Sequence, residues 1–161
     1  MENYSIRKIK KEDNQAVAAL IRAVFDELNI PKVGTAYEDP YLDLMFEEYN
    51  KPKSVYYVVE KDGKIIGSAG VAPLENEAET ICELQKMYFL PETRGLGIGS
   101  QMMAQCLQSA KDFGFEKCYL ETMPFMLDAQ KLYKKVGFEY ICSPMGSTGH
   151  TSCPIWMLKT L

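Results

Sequence analysis

The sequence predicts an α/β domain built on one mixed, mostly antiparallel sheet of six to seven strands, flanked by about four helices. Three observations support this prediction. Apolar residues alternate between strand-like and helix-like spacing along the chain. A two-residue hairpin signal, Asp62-Gly63, joins two β-branched segments. A glycine-rich loop, from Arg94 to Ser100, lies between a strand-like and a helix-like segment.

The first part of the chain is predicted to form a strand and two helices. Tyr4 to Lys10 is the strand, and the first helix has Asp13 as its N-cap and ends before Pro31. A second helix is expected to begin at Asp39-Pro40, because aspartate caps helices and proline suits their first turn.

The rest of the chain is predicted to complete the sheet and to add two more helices. The strand from Lys117 should run parallel to the strand that precedes the glycine-rich loop. The predicted strands are Ser54 to Glu60, Lys64 to Ala72, Thr80 to Phe89, Lys117 to Thr122, Phe138 to Cys142 and Ile155 to Lys159, and the helices are Gly97 to Phe113 and Phe125 to Val136.

Composition indicates a single cytoplasmic domain over residues 1–161. The 47% hydrophobic and 25% charged residues are ordinary for a globular protein. No apolar segment is long enough to span a membrane, and the net charge of −4 argues against nucleic acid. The five cysteines contain no C-x-x-C pair, which favours reduced thiols. His150-x-x-Cys153 has no second ligand cluster nearby in sequence, so no metal site is expected.

The glycine-rich loop has the composition of a phosphate-binding loop. Glycines 95, 97 and 99 would let a ligand approach the backbone amides, and the positive end of the following helix faces the same space. Arg94 adds a positive charge, so the expected ligand is a diphosphate. Gly99 is not followed by the Lys-Ser/Thr pair of a P-loop.

A dinucleotide-binding oxidoreductase is one alternative. Gly95-x-Gly97-x-x-Ser100 nearly fits the dinucleotide fingerprint, and Glu121 lies about where a ribose-binding acid is needed. However, such domains normally open with this motif, whereas here most of the chain precedes it. The alternative is therefore disfavoured.

A second motif, Ala129-x-x-Leu132-Tyr133-x-x-x-Gly137-Phe138, follows the loop by a predicted helix and strand. Together with Arg94-x-x-Gly97-x-Gly99, it resembles the GNAT superfamily of acetyl-CoA-dependent N-acetyltransferases. The resemblance implies the GNAT fold, with acetyl-CoA as cosubstrate and no metal. It also implies a set of cofactor-binding residues: Met87, Tyr88, Phe89, Arg94, Gly95, Leu96, Gly97, Ile98, Gly99 and Ser100.

The same resemblance assigns two catalytic residues. Tyr133 matches the family's general acid, which protonates the leaving thiolate. Glu83 matches a strand glutamate that deprotonates the amine in some members; otherwise it is a solvated residue or a partner of Lys86. The loop with His150 often borders the acceptor pocket. Met126 replaces a frequent asparagine, and with Met123, Phe125 and Tyr88 it could line an apolar wall of the acceptor site.

The predicted function is transfer of acetyl from acetyl-CoA to a primary amine by direct attack in a ternary complex. The acceptor stays open between a small molecule, a peptide N-terminus and a lysine side chain, and a homodimer also stays open. The alternative from another functional class is a non-catalytic acyl-CoA-binding or sensor module that keeps the cofactor cleft.

Overall fold

A computed structural model describes residues 3–161, which form seven strands and four α-helices. The strands are β1 (Tyr4–Lys8), β2 (Val55–Lys61), β3 (Lys64–Pro73), β4 (Ile81–Phe89), β5 (Lys117–Thr122), β6 (Glu139–Ile141) and β7 (Ile155–Thr160). The helices are α1 (Asn14–Leu28), α2 (Met45–Tyr49), α3 (Ile98–Asp112) and α4 (Leu127–Lys135). No helix in this part of the chain has both the length and the apolar composition to cross a membrane.

All seven strands belong to one sheet in the order β1-β2-β3-β4-β5-β7-β6. Strands β4 and β5 pair in parallel, and the other neighbouring strands pair antiparallel. The predicted mixed sheet is therefore confirmed. A doubly wound dinucleotide-binding domain needs a mainly parallel sheet, so the oxidoreductase alternative is wrong for this chain.

The predicted hairpin between β2 and β3 is confirmed. Lys61 pairs with Lys64, and the two residues between them both have positive φ, 52° at Asp62 and 79° at Gly63. Two consecutive residues of positive φ define the type I′ turn that matches the twist of a hairpin. The turn thus fixes the start of the strand pair that leads into β4.

The predicted start of the second helix is wrong. Asp39 ends a short 3-10 turn, and α2 begins six residues later at Met45. The Asp39 carboxylate is instead 2.6 Å from Nζ of Lys86 and 3.1 Å from Nε2 of His150. These tertiary contacts replace the N-capping bond that the local sequence favours.

The sheet is covered by apolar packing on both faces. On one face, α3 and α4 contribute Met102, Met103, Cys106 and Tyr133 to a core that includes side chains of β2 to β5. On the other face, Val17, Ile21 and Phe25 of α1 pack with Met45 and Tyr49 of α2. The two faces of the sheet are therefore covered by different pairs of helices.

A bulge in β4 and the end of its pairing with β5 open the sheet. The parallel pairs stop at Glu83 and Tyr119. Beyond them, Lys86 and Met87 both lie opposite Ala69 of β3, and Lys86 has a φ of 48°. The second half of β4 consequently has no ladder partner on its β5 side. The cavities described below lie at this opening.

Candidate active site

Two adjoining cavities lie where β4 and β5 part. The first, here called the glycine-loop cleft, is open and lies between the loop from Arg94 to Ser100 and the start of α4. The second, the inner cavity, reaches Glu83 on one face of the sheet and Tyr133 on the other. Met87, Tyr88 and Met126 line both. The two cavities therefore meet at the end of β4.

The glycine loop is shaped to admit an anion. Gly95 and Gly97 have φ values of 81° and 76°, and a Cβ added to either would meet no atom within 4 Å. Gly97 is the N-cap of α3 and no side chain caps this helix end. The first amides of α3 therefore have no helical acceptor and face the cleft region, where an anion is favoured.

Gly99 has a different role from the other two glycines. It lies inside the first turn of α3, where an added Cβ would stand 3.1 Å from Cδ2 of Leu132. The absence of a side chain there allows α3 to approach α4 closely. The loop is thus tied to the helix that carries Tyr133.

Arg94 lines the glycine-loop cleft, but its guanidinium is already paired. Nη2 and Nη1 lie 2.7 Å and 3.1 Å from the two carboxylate oxygens of Glu27 on α1. This hydrogen bonding lowers the pKa of Glu27. A diphosphate in the cleft would have to compete with Glu27 for Arg94.

Three predicted residues at the end of β4 face different sides. Met87 and Phe89 line the glycine-loop cleft and pack on the core beneath α3. Tyr88 packs against Phe25 of α1, with ring centroids 5.4 Å apart. Their backbone belongs to the part of β4 that β5 leaves unpaired. This edge can accept an extended ligand as an added strand.

Glu83 is buried in the inner cavity, with 5% of its surface exposed. Burial raises the pKa of its carboxyl to about 7, the charge of Glu121 adds to the rise, and a hydrogen bond from Gln85 opposes it. Gln85 Nε2 donates that bond to Oε1 over 2.6 Å. Glu83 is therefore not a solvated residue, and Lys86 acts on it only through its charge, because the direct ion-pair partner of Lys86 is Asp39.

Tyr133 lines the inner cavity from the α4 side and is 6% exposed. Burial raises the pKa of its phenol above the usual range. Among residues 3–161, none forms a hydrogen bond with its hydroxyl, although no fully buried polar side-chain atom lacks a partner. The hydroxyl therefore retains access to the cavity and is free to contact a ligand.

Asp39 joins three segments around the inner cavity, a feature that the sequence did not reveal. Its carboxylate contacts Lys86 from the β4 bulge and His150 from the loop between β6 and β7. Burial opposes the charge of Asp39, but the hydrogen bond from His150 and the charge of Lys86 outweigh it and lower its pKa. His150 thus lies at the cavity with one ring nitrogen engaged.

The apolar wall expected near Tyr88 forms in part. Met123 and Met126 line the inner cavity together with Tyr88. Phe125 instead lines the glycine-loop cleft and is 50% exposed. Two flexible methionine side chains therefore bound the inner cavity, and a third apolar residue stands at the entrance of the cleft.

Other reactive groups do not form a centre in the described part of the chain. All five cysteines are free, and three of them, Cys82, Cys106 and Cys118, are buried in the core. Across residues 3–161, no cluster of three or more His, Cys, Asp or Glu side chains could hold a metal ion. The chemistry derived below uses Glu83, Tyr133 and their neighbours.

A mixed sheet that splits between β4 and β5, with a glycine loop at the opening and Glu83 and Tyr133 lining one cavity, is typical of acyltransferases. Residues 15–138 match the model of the acetyltransferase (GNAT) family. The chain is 41% identical over 157 residues to the N-acetyltransferase YjgM of Escherichia coli K12, covering 97% of this chain and 94% of that protein. The chain belongs to the GNAT family of N-acetyltransferases.

Solved structures agree with this fold. An acetyltransferase of Streptococcus agalactiae superposes with a TM-score of 0.86 at 15% identity, covering 100% of both chains. The PaiA N-acetyltransferase of Thermoplasma acidophilum, solved in complex with coenzyme A, superposes with a TM-score of 0.70 at 20% identity and 99% coverage of each chain. At these identities the superpositions show the fold alone.

Proposed function

We propose that this enzyme transfers an acetyl group from acetyl-CoA to a primary amine by direct attack. One observation carries the proposal: Glu83 and Tyr133 line the same cavity from opposite faces of the sheet, and that cavity adjoins the glycine-loop cleft at Met87, Tyr88 and Met126. A base and an acid thus flank the place where the acetyl end of a donor held in the cleft would lie.

The glycine-loop cleft suits the donor. The open space at Gly95 and Gly97 and the uncapped start of α3 would receive the diphosphate, with Arg94 beside it. The unpaired edge of β4 at Met87 to Phe89 would pair with the extended amide-bearing arm, and a backbone N–H there would stabilise charge on the thioester oxygen. Acetyl-CoA supplies the activated acetyl group.

Glu83 acts as the general base in this proposal. An amine in neutral water is mostly ammonium and cannot attack, so it must lose a proton. A carboxylate whose pKa lies about 7 can remove that proton near the operating pH. The gained proton stays on Glu83 as the C–N bond forms.

Tyr133 assists departure of the thiol. As the C–S bond breaks, its hydroxyl donates a proton to the sulfur and the thiol leaves neutral. The raised pKa keeps the phenol protonated until that step. The surplus proton of the acetylated nitrogen then returns to the Tyr133 oxygen, and Glu83 releases its proton to solvent. The products are an N-acetylated amine and the free thiol, with no acetyl group bound to the protein.

Two-substrate kinetics test the direct route. Initial rates at several fixed amine concentrations should give intersecting double-reciprocal lines against acetyl-CoA, because both substrates must be bound together. Parallel lines would instead indicate an acetyl-enzyme intermediate and would overturn the proposed mechanism.

A further inference from the structure

Glu121 is a second carboxylate in the inner cavity, and the proposed transfer gives it no role. It lies near the end of β5 and lines the cavity together with Glu83. The hydroxyl of Tyr119 donates to Oε2 over 2.6 Å, and Oγ1 of Thr148 donates to Oε1 over 2.5 Å. Two neutral hydroxyls therefore hold the carboxylate in place and leave its charge uncompensated.

The basic side chains that line the inner cavity, Lys86 and His150, are both paired with Asp39. Nζ of Lys86 lies 2.6 Å from Asp39, and Nε2 of His150 lies 3.1 Å from the same carboxylate. Within residues 3–161, neither Glu83 nor Glu121 takes part in an ion pair. The cavity thus presents two carboxylates with no direct ion-pair partner, because Lys86 and His150, which line the same cavity, are bound to Asp39.

The register of the sheet sets the spacing of these two carboxylates. Glu83 is paired with Tyr119, and Glu121 lies two residues further along β5 on the same face. With roughly 3.3 Å per residue and about 4.8 Å between strands, the two Cα atoms lie about 8 Å apart. The two carboxyl groups therefore line one cavity from neighbouring strands, where a short aliphatic chain with a nitrogen at each end can present one nitrogen to each.

Tyr133 fixes which of the two ends reacts. Its hydroxyl has no hydrogen-bond partner in the described chain and is open to the cavity, which in the proposed mechanism marks the side where the thioester lies. Glu83 belongs to the reacting end in the proposed mechanism, and Glu121 is left for the remote end. The same cavity is also lined by Phe25, Met123 and Met126, whose apolar side chains can contact the methylene groups of the ligand.

We propose that the acceptor is a short aliphatic diamine, with one amine facing Glu83 for acetylation and the other, as an ammonium, bound by Glu121. This inference rests on the proposed acetyl transfer and names its substrate class. Binding of the remote ammonium supplies the missing positive charge and orients the reacting nitrogen.

The test compares diamines with monoamines of equal chain length. Values of kcat/KM are measured with acetyl-CoA for 1,3-diaminopropane, 1,4-diaminobutane and 1,5-diaminopentane, and for propylamine, butylamine and pentylamine. For the wild-type enzyme, the best diamine should exceed its matched monoamine by about ten- to a hundredfold, the size expected for a hydrogen bond to a charged group. This comparison needs no variant.

Glu121→Gln then assigns the preference to the carboxylate. Glutamine keeps an oxygen for the Tyr119 or Thr148 hydroxyl but removes the charge, so the diamine-to-monoamine ratio should fall towards one. Comparing this ratio between the variant and the wild-type enzyme cancels the difference in basicity between diamines and monoamines. Glu139→Gln, which removes an exposed charge on β6, is the matched control and should keep the wild-type ratio.

The outcomes separate this inference from the function on which it rests. Equal kcat/KM for diamines and monoamines in the wild-type enzyme, or a wild-type ratio in Glu121→Gln, would overturn the diamine site while leaving amine acetylation intact. Failure of every amine to react would overturn both.

Discussion

Burial of Glu83 gives an ordinary carboxyl group a pKa that suits the proposed general base. Its side chain has one direct hydrogen-bond partner, Gln85, and desolvation outweighs the opposing effects of that bond and of the nearby His150 and Lys86, which brings its pKa to about 7. Glu121 strengthens the shift by adding a second negative charge. The same burial that suits the residue for catalysis makes its ionised form costly to the fold.

The pH dependence of turnover should report Glu83. In the wild-type enzyme, kcat/KM is expected to rise with pH through about 7 as the carboxyl loses its proton. Glu83→Gln should lose that inflection, be most impaired near neutral pH and recover at high pH, where the amine deprotonates unaided. A variant profile parallel to that of the wild type would assign Glu83 a structural role.

Glu83→Gln should lose activity but gain folding stability at neutral and higher pH. The folded-state pKa of Glu83 lies above its unfolded value of 4.5, so folding favours the protonated form and wild-type stability falls as pH rises from 4.5 through about 7. Above pH 7, Glu83→Gln should therefore be more stable than wild type by on the order of 3 kcal/mol. Denaturant unfolding at pH 5 and pH 8 measures this, and an equal difference at both pH values would contradict it.

Removal of the Tyr133 hydroxyl should slow chemistry without loss of the donor. Tyr133→Phe keeps the ring contact with Phe138 and should bind acetyl-CoA within a few-fold, while the chemical step slows by about 10²–10⁴. An acyl donor whose thiol has a lower pKa should partly restore the rate. Tyr57→Phe removes a hydroxyl bonded to Ser109 and is the control. Near wild-type single-turnover rates in Tyr133→Phe would make it a packing residue.

At the element scale, the glycine loop and the start of α3 together form the proposed binding site for the diphosphate of acetyl-CoA. Gly97→Val should abolish acetyl-CoA binding, because a β-branched side chain at a φ of 76° strains the loop and enters the cleft. Gly114 ends the same helix with a φ of 91° and equally open surroundings, so Gly114→Val carries comparable strain far from the cleft. Calorimetric titration should show binding in the Gly114 variant only. Binding to both folded variants would contradict the assignment.

The pairing of Arg94 with α1 predicts a variant that binds acetyl-CoA more tightly. Glu27 holds the guanidinium in the absence of a ligand, so Glu27→Gln should increase affinity by about two- to fivefold, the range of an exposed ion pair. Asp26→Asn alters a neighbouring carboxylate that pairs with Lys32 and should leave affinity unchanged. A decrease in Glu27→Gln would show that Arg94 needs this partner for binding.

The sequence predicted elements well where local signals agree with tertiary packing. Asp62-Gly63 specified its hairpin, and the glycine loop specified the start of α3 within one residue. The start of α2 was predicted wrongly, because the Asp39 carboxylate binds Lys86 and His150 and does not cap a helix that begins at its own position. Its alternative partners lie 47 and 111 residues away, and no local pattern contains them.

The candidate site was predictable in its parts but not in its arrangement. Glu83, Tyr133 and the glycine loop were assigned through their motifs, and the structure places them around two adjoining cavities. The position of Glu121 depends on the register of β4 with β5 and on where that pairing stops. The roles of these residues stay predictions that the variants above would test.

At the scale of the whole molecule, the Asp39–Lys86 pair connects the α1–α2 segment to the sheet. The Lys86 side chain is 1% exposed, and loss of Asp39 would leave its charge buried without an anion. Asp39→Asn should therefore cost about 2–4 kcal/mol of stability. Asp43→Asn breaks an exposed pair with Arg22 and should barely change the melting temperature. Equal decreases of the melting temperature in Asp39→Asn and Asp43→Asn would show that the buried pair contributes no more than the exposed one.

The central claim is direct acetyl transfer from acetyl-CoA to an amine, with Glu83 as the base. Mass spectrometry after incubation with isotopically labelled acetyl-CoA and an amine panel tests it most directly, for the wild-type enzyme and Glu83→Gln at pH 7. The account predicts a labelled N-acetylated amine with the wild type, much less with the variant, and no labelled protein in either. Labelled protein as an intermediate, or equal product from both enzymes, would contradict it.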